Sequence, residues 1–162
     1  MNQGFNQMGA AIQQGFQGGM TNAMQGAMGT PGAGGVTKRN PLMTMLLPFG
    51  IIFGSVMIGS ILAAAIDPSL ALIAVVGELA GLAFAFMTFA KMIGELRTVS
   101  GEPIQWWPIL IPIYNIIFIV SILPQTVARA KQARGIQTPA RSVVVYFFFY
   151  LYALAADLND FA

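Results

Sequence analysis

The sequence predicts an all-α protein integral to a membrane. The expected architecture is a helical bundle with three full spans plus a re-entrant or Pro-broken segment, or else four spans, preceded by a Gly/Gln-rich conditional helix. Three observations carry this. The 162 residues are 56% hydrophobic and only 9% charged, whereas a soluble domain carries about 25% charged residues and could not cover its surface with fewer. Four long apolar runs follow one another between short polar stretches. The basic residues gather in the polar stretches rather than within the runs.

Residues 1–29 repeat with a period of eleven: NQGF (2–5), QQGF (13–16) and MQGA (24–27) align. Eleven residues are close to three helical turns. Phe5, Met8, Ile12, Phe16, Gly19, Ala23 and Ala27 form one stripe, and small residues recur every four from Ala11 to Ala27. Seven glycines in residues 2–29 oppose an isolated helix by about 1 kcal/mol each. Burial of the Phe, Ile and Met side chains returns on the order of 10 kcal/mol. The segment is therefore expected to be helical only when its stripe is covered, and homo-oligomer formation through residues 1–29 is the expected way to cover it. Residues 30–41, with two prolines and three glycines, read as a linker.

The membrane domain is expected over residues 42–162. Residues 42–66 hold no charge and suffice to span, with Pro48 early enough to cause only a kink. Asp67-Pro68-Ser69 reads as a tight turn that caps the next helix. Residues 69–93 form the second span, charged only at Glu78 and Lys91. Residues 106–124 are apolar but carry Pro108, Pro112 and Pro124, so a break or re-entrant turn is expected there. Trp106 and Trp107 are expected at a membrane interface. The basic stretch 125–141 begins as a short helix stopped at Gly135. Residues 142–158 are just long enough to span, at roughly 25 Å.

Charge placement favours the re-entrant version. With 106–124 entering and leaving on one side, all eight Lys and Arg fall on that side, and Asp67, Asp157 and Asp160 on the other. Cytoplasmic loops carry the excess of Lys and Arg, so the N-terminus is expected in the cytoplasm and the C-terminus opposite. With no basic residue before Lys38, no cleaved signal is expected.

Absent residue types exclude whole chemistries. With no His and no Cys, thiol nucleophiles, thiolate metal sites, imidazole bases and haem ligation are unsupported. A net charge of +2 without a concentrated basic face gives no reason to expect nucleic acid. No catalytic set, metal site or cofactor is expected.

The remaining polar residues are the candidates. Glu78 lies inside the second span, where a carboxylate costs several kcal/mol and such residues face a bundle interior or water. It is expected to point at a neighbouring helix and to hydrogen-bond Asn115, Tyr114, Ser55 or Ser60. Gly50 and Gly54, with Gly59, and Gly77 and Gly81 form small faces where helices approach closely, within one subunit or between copies. Arg129, Lys131, Arg134 and Arg141 are expected at lipid head groups, each charge worth about 1 kcal/mol there. Asp157 and Asp160 read as a solvated pair without a positioned partner.

Residues 103–161 carry a resemblance. Pro-Ile-Tyr-Asn at 112–115, the basic stretch, and the aromatic run closing in Leu158-Asn159 resemble the small bacterial membrane proteins grouped as "domain of unknown function 4234". The resemblance covers just over a third of the chain. It implies a bacterial membrane location and a helical hairpin-like module, and no activity.

The functional expectation is a non-enzymatic membrane protein, an oligomeric scaffold or subunit of a larger assembly in the bacterial cytoplasmic (inner) membrane, with lipids as partners. The alternative is an ion or proton pathway through Glu78 and the broken segment at Pro112 and Asn115. An enzyme acting on lipids through Asp157 and Asp160 lacks a nucleophile–base pair.

Overall fold

The computed structural model describes residues 17–25, 30–31 and 35–162. Residues 17–25 of the repeat segment are helical and mostly exposed; the rest of that segment, 1–16 and 26–29, lies outside the described residues. The chain is an all-α bundle, with three helices long and apolar enough to cross a membrane.

Helix α1 runs from Pro41 to Ala65. Asn40 caps it, its side chain accepting from the N–H groups of Leu42 and Met43, and Pro41 occupies the first position, where no N–H is required. Asp67 then accepts from Ser69 N–H at 2.8 Å and Pro68 opens a 3₁₀ turn, Pro68–Ala71. The expected tight cap is therefore present, and it sends the chain back as α2, Leu72–Ser100. Gly101, at φ 70°, ends that helix.

Small residues let α1 and α2 lie close. A Cβ on Gly59 would fall 2.8 Å from Ala74 N, one on Gly77 would overlap Ser55, and one on Gly81 would fall 2.5 Å from Ile52 Cγ1. Gly50 and Gly54 meet nothing within 4 Å. The α2 pair thus seals this hairpin, and the first two glycines of α1 remain free of it.

After Ser100 the chain passes through a 3₁₀ turn, Trp107–Leu110, into α3, Pro112–Ala133. The expected break falls differently here. Pro112 opens the helix instead of interrupting it. Pro124 is carried inside it, directly after a π turn at Phe118–Ile122. The wider turn relieves the clash and missing bond that proline imposes on the preceding turn. Arg134 and Gly135, at φ 68°, stop α3, as expected.

Helix α4, Val143–Asn159, is bent at Phe149 (φ −137°, ψ 47°). A straight helix would separate residues 141 and 157 by about 24 Å. Instead Arg141 N–H donates to Asp157 Oδ2 at 3.0 Å, so the two arms fold back on each other. The run expected to be a straight span is the one that turns round. Asp157 and Asp160 therefore lie among the basic residues, not at the Asp67 end.

The linker is built into the core. Thr30–Pro31 pairs antiparallel with Thr37–Lys38, and Val36 is fully buried. The main core joins Val36 to Phe89, Met92 and Leu96 of α2, Leu123 and Val127 of α3, and Leu154 and Leu158 of α4.

Candidate functional site

Among the described residues, most charged groups other than Asp67 and Glu78 converge at one end of the bundle. Three charged clusters tie together segments far apart in sequence.

The first joins the linker to α2 and α4. Arg39 Nη1 and Nη2 donate to Glu95 Oε2 and Oε1 at 2.6 and 2.5 Å, the bidentate geometry that suits guanidinium and carboxylate. Thr37 Oγ1 donates to Glu95 Oε1 at 2.7 Å. The Arg39 backbone is gripped by Asn159: Arg39 N–H donates to Oδ1 at 2.8 Å, and Nδ2 donates to Arg39 O at 2.6 Å. The side chain of Arg39 is wholly buried.

The second centres on Lys131, which is 2% exposed. Its ammonium donates to Asp157 Oδ1 at 2.8 Å, Asp160 Oδ2 at 2.6 Å and Pro139 O at 3.3 Å. Asp157, fully buried, also accepts from Tyr146 Oη at 2.8 Å and from Arg141 N–H. Asp160 accepts from Thr138 Oγ1 at 3.0 Å. Burial alone would raise the Asp160 carboxyl, but the Lys131 and Thr138 hydrogen bonds outweigh it and hold the group below the usual carboxylate value.

The third is more exposed: Arg129 Nε and Nη2 donate to Glu102 at 2.8 and 2.9 Å. The Arg129 hydrogen bond holds Glu102 below its ordinary value.

These contacts revise several expectations. Lys131 does not face head groups, because two carboxylates draw it into the protein. Arg129 is paired with Glu102, Arg134 lies 5.7 Å over the Phe161 ring, and Arg141 Nη1 stands 3.9 Å from Asp157. Asp157 and Asp160 do have a positioned partner. Trp106 packs edge-on against Phe86, 4.9 Å between ring centroids, some way along α2 from the charged end.

The expected intramembrane site is not drawn together by hydrogen bonds. Glu78 is exposed on the outside of α2 and, among the described residues, accepts no hydrogen bond. Tyr114 is exposed, Asn115 is half-buried, and Asn115 Oδ1 is a buried atom without a partner. The reason is rotational: Gly77 and Gly81 claim the face that meets α1, and Glu78 lies at its rim.

All three N–H groups of Lys131 are donated, and both oxygens of Asp157 are occupied. This geometry fixes charge in place. Beside it opens a cleft of about 370 Å³ lined by Lys131, Gln132, Thr138 and Pro139. The clusters had one sequence signal, the presence of acidic residues next to an apolar run, but spacing alone could not pair residues 39 and 95 or 131 and 157.

Comparison with protein-family models, with curated proteins and with solved structures finds no match.

Proposed function

We propose that the chain is a non-enzymatic multi-pass protein of the bacterial cytoplasmic membrane, acting as a homo-oligomeric scaffold or subunit of a larger assembly. The single observation behind this reading is the outer surface of the α1–α2 hairpin. Glu78 stands uncovered on an apolar helix, and Gly50 and Gly54 lie open on its neighbour. An ionisable group facing lipid within a span costs up to about 3 kcal/mol. Copies packed with the Gly50–Gly54 face of one α1, which points away from its own α2, against the Glu78 side of another copy's α2 would cover it, and open small residues admit close approach.

The charged end supports an orientation. Lys38 and Arg39 precede α1, Lys91 and Arg97 lie toward the end of α2, and the other four basic residues sit at the close of α3 and just after it. On the rule that basic residues stay inside, this end, with the start of α1 and the close of α4, lies in the cytoplasm. The hairpin-like module implied for residues 103–161 would be α3 with the folded-back α4. Locked charges at this end support a structural role over a catalytic one.

The test is the mass of the purified full chain in mild detergent. The expected result is two or more copies of the 17.3 kDa chain, reduced by Gly54→Leu. A single-copy mass, with and without residues 1–29, would overturn the proposal.

A further inference from the structure

Depth along α2 can be read from aromatic contacts. Phe86 stands about 21 Å from Leu72 at the far end of the helix. The Trp106 ring lies against Phe86, and Phe118 and Tyr150 lie against Phe89 at 6.4 and 5.6 Å. Pro112 precedes Phe118 by six residues, or about 9 Å of helix. However it is tilted, α3 starts no farther from the charged end than the region of Leu82. The Phe149 bend adjoins Tyr150 at the Phe89 level. Ile109 and Tyr150 share one apolar cleft of about 270 Å³ with Leu82, Phe86 and Phe89.

The molecule is therefore wider at one end. Among the described residues from Gly35 onward, the half near Asp67 consists of α1 and α2. The half near the charged clusters holds α1, α2, the 102–111 segment, α3 and both arms of α4. The inserted tips are apolar and uncovered: Leu110 is 64% exposed, Ile113 79% and Phe148 66%. Such tips belong among acyl chains.

We propose that the protein is a wedge whose partner is a curved lipid surface: α3 and α4 enter the leaflet at the charged end and stop within it. With helices about 10 Å across, α3 and the two arms of α4 occupy on the order of 240 Å² of that leaflet, and none of these three reaches the other. A bilayer convex on the charged face accommodates that difference, and a flat one must stretch. Lipid-surface binding by such inserted apolar segments is curvature-sensitive. The inference rests on the membrane placement proposed above, and not on the number of copies.

The chain has no cysteine, so single substitutions report position without background. The full chain is reconstituted in phosphatidylcholine–phosphatidylglycerol vesicles and treated with a membrane-impermeant maleimide. Lys38→Cys and Ser69→Cys are expected to react from opposite faces, and Ile113→Cys and Phe148→Cys from neither. Labelling of Ile113→Cys from the Ser69 face would overturn the wedge, because α3 would then cross. Labelling of Lys38→Cys and Ser69→Cys from one face would overturn the membrane placement itself. In vesicles with Lys38 outward, protein per unit area is expected to be about twofold higher at ~50 nm diameter than at ~200 nm. The double variant Phe147→Ser/Phe148→Ser, at exposed positions, is expected to keep its helix content and bring that ratio toward one. Equal density of the parent chain at both diameters would overturn the proposal.

Discussion

Replacing Lys131 by Met tests whether the buried ion cluster holds the charged end together. The substitution keeps the aliphatic stem and removes the ammonium. Asp157, fully buried, would keep Tyr146 Oη and the Arg141 N–H but lose its contact charge, leaving the Arg141 guanidinium at 3.9 Å as the nearest cation. Stranding one member of a buried pair costs about 3–5 kcal/mol, and the two retained donors place this case near the lower end, about 3 kcal/mol. Asp157→Asn alone should cost about 2 kcal/mol, since Lys131 retains Asp160. The double variant removes the stranded charge, so its loss should fall short of the sum of the singles by about 2 kcal/mol. The assay is unfolding in mixed micelles with SDS, followed by the fluorescence of Trp106 and Trp107. Additive losses, within about 0.5 kcal/mol, would refute the cluster as a coupled unit.

Three further outcomes follow from the same geometry. Gly77→Ala should destabilise by about 1–3 kcal/mol through overlap with Ser55, whereas Gly50→Ala should be neutral or slightly stabilising; thermal midpoints compare them. Acid should weaken the fold: Asp160 sits below its unfolded value, so its contribution is complete above about pH 5 and is lost as pH falls through the lowered folded value. Midpoints from pH 7 down to 3 should drop on the acid side, and Asp160→Asn should flatten that drop. Tyr146→Phe should cost about 1.5–3 kcal/mol, since it removes a hydroxyl donor to a buried carboxylate, measured by the same SDS unfolding.

The parts of this fold legible in the sequence are those set by local chemistry. Two apolar runs of spanning length, the Asp67-Pro68-Ser69 cap and the stop at Gly135 all rest on neighbouring residues, and the structure has each of them. Proline misled at 112 and 124, because its effect depends on register. At the first helical position it costs nothing, and behind a π turn its clash is relieved. The bend at Phe149 carries no Gly or Pro. It is imposed by tertiary pairing, since Asp157 reaches Lys131 and Arg141 only if the helix turns back. The same non-local pairing hid the burial of Lys131 and the docking of the linker. Glu78 was legible as unusual, but its exposure depends on which rim of the α1–α2 face it occupies, and the rotation is set by Gly77 and Gly81.

The clasp between Asn159 and the backbone of Arg39 also bears on biosynthesis. Chains emerge from the ribosome N-terminus first and fold in units as they do so. The α1–α2 pairing has both its partners once Ser100 has emerged. The seat for Arg39 does not, because Asn159 lies 120 residues further along the chain. Made before α1 and α2, the linker thus settles only after α4 has followed. A chain cut before Asn159 would keep the α1–α2 hairpin and have a charged end that never closes.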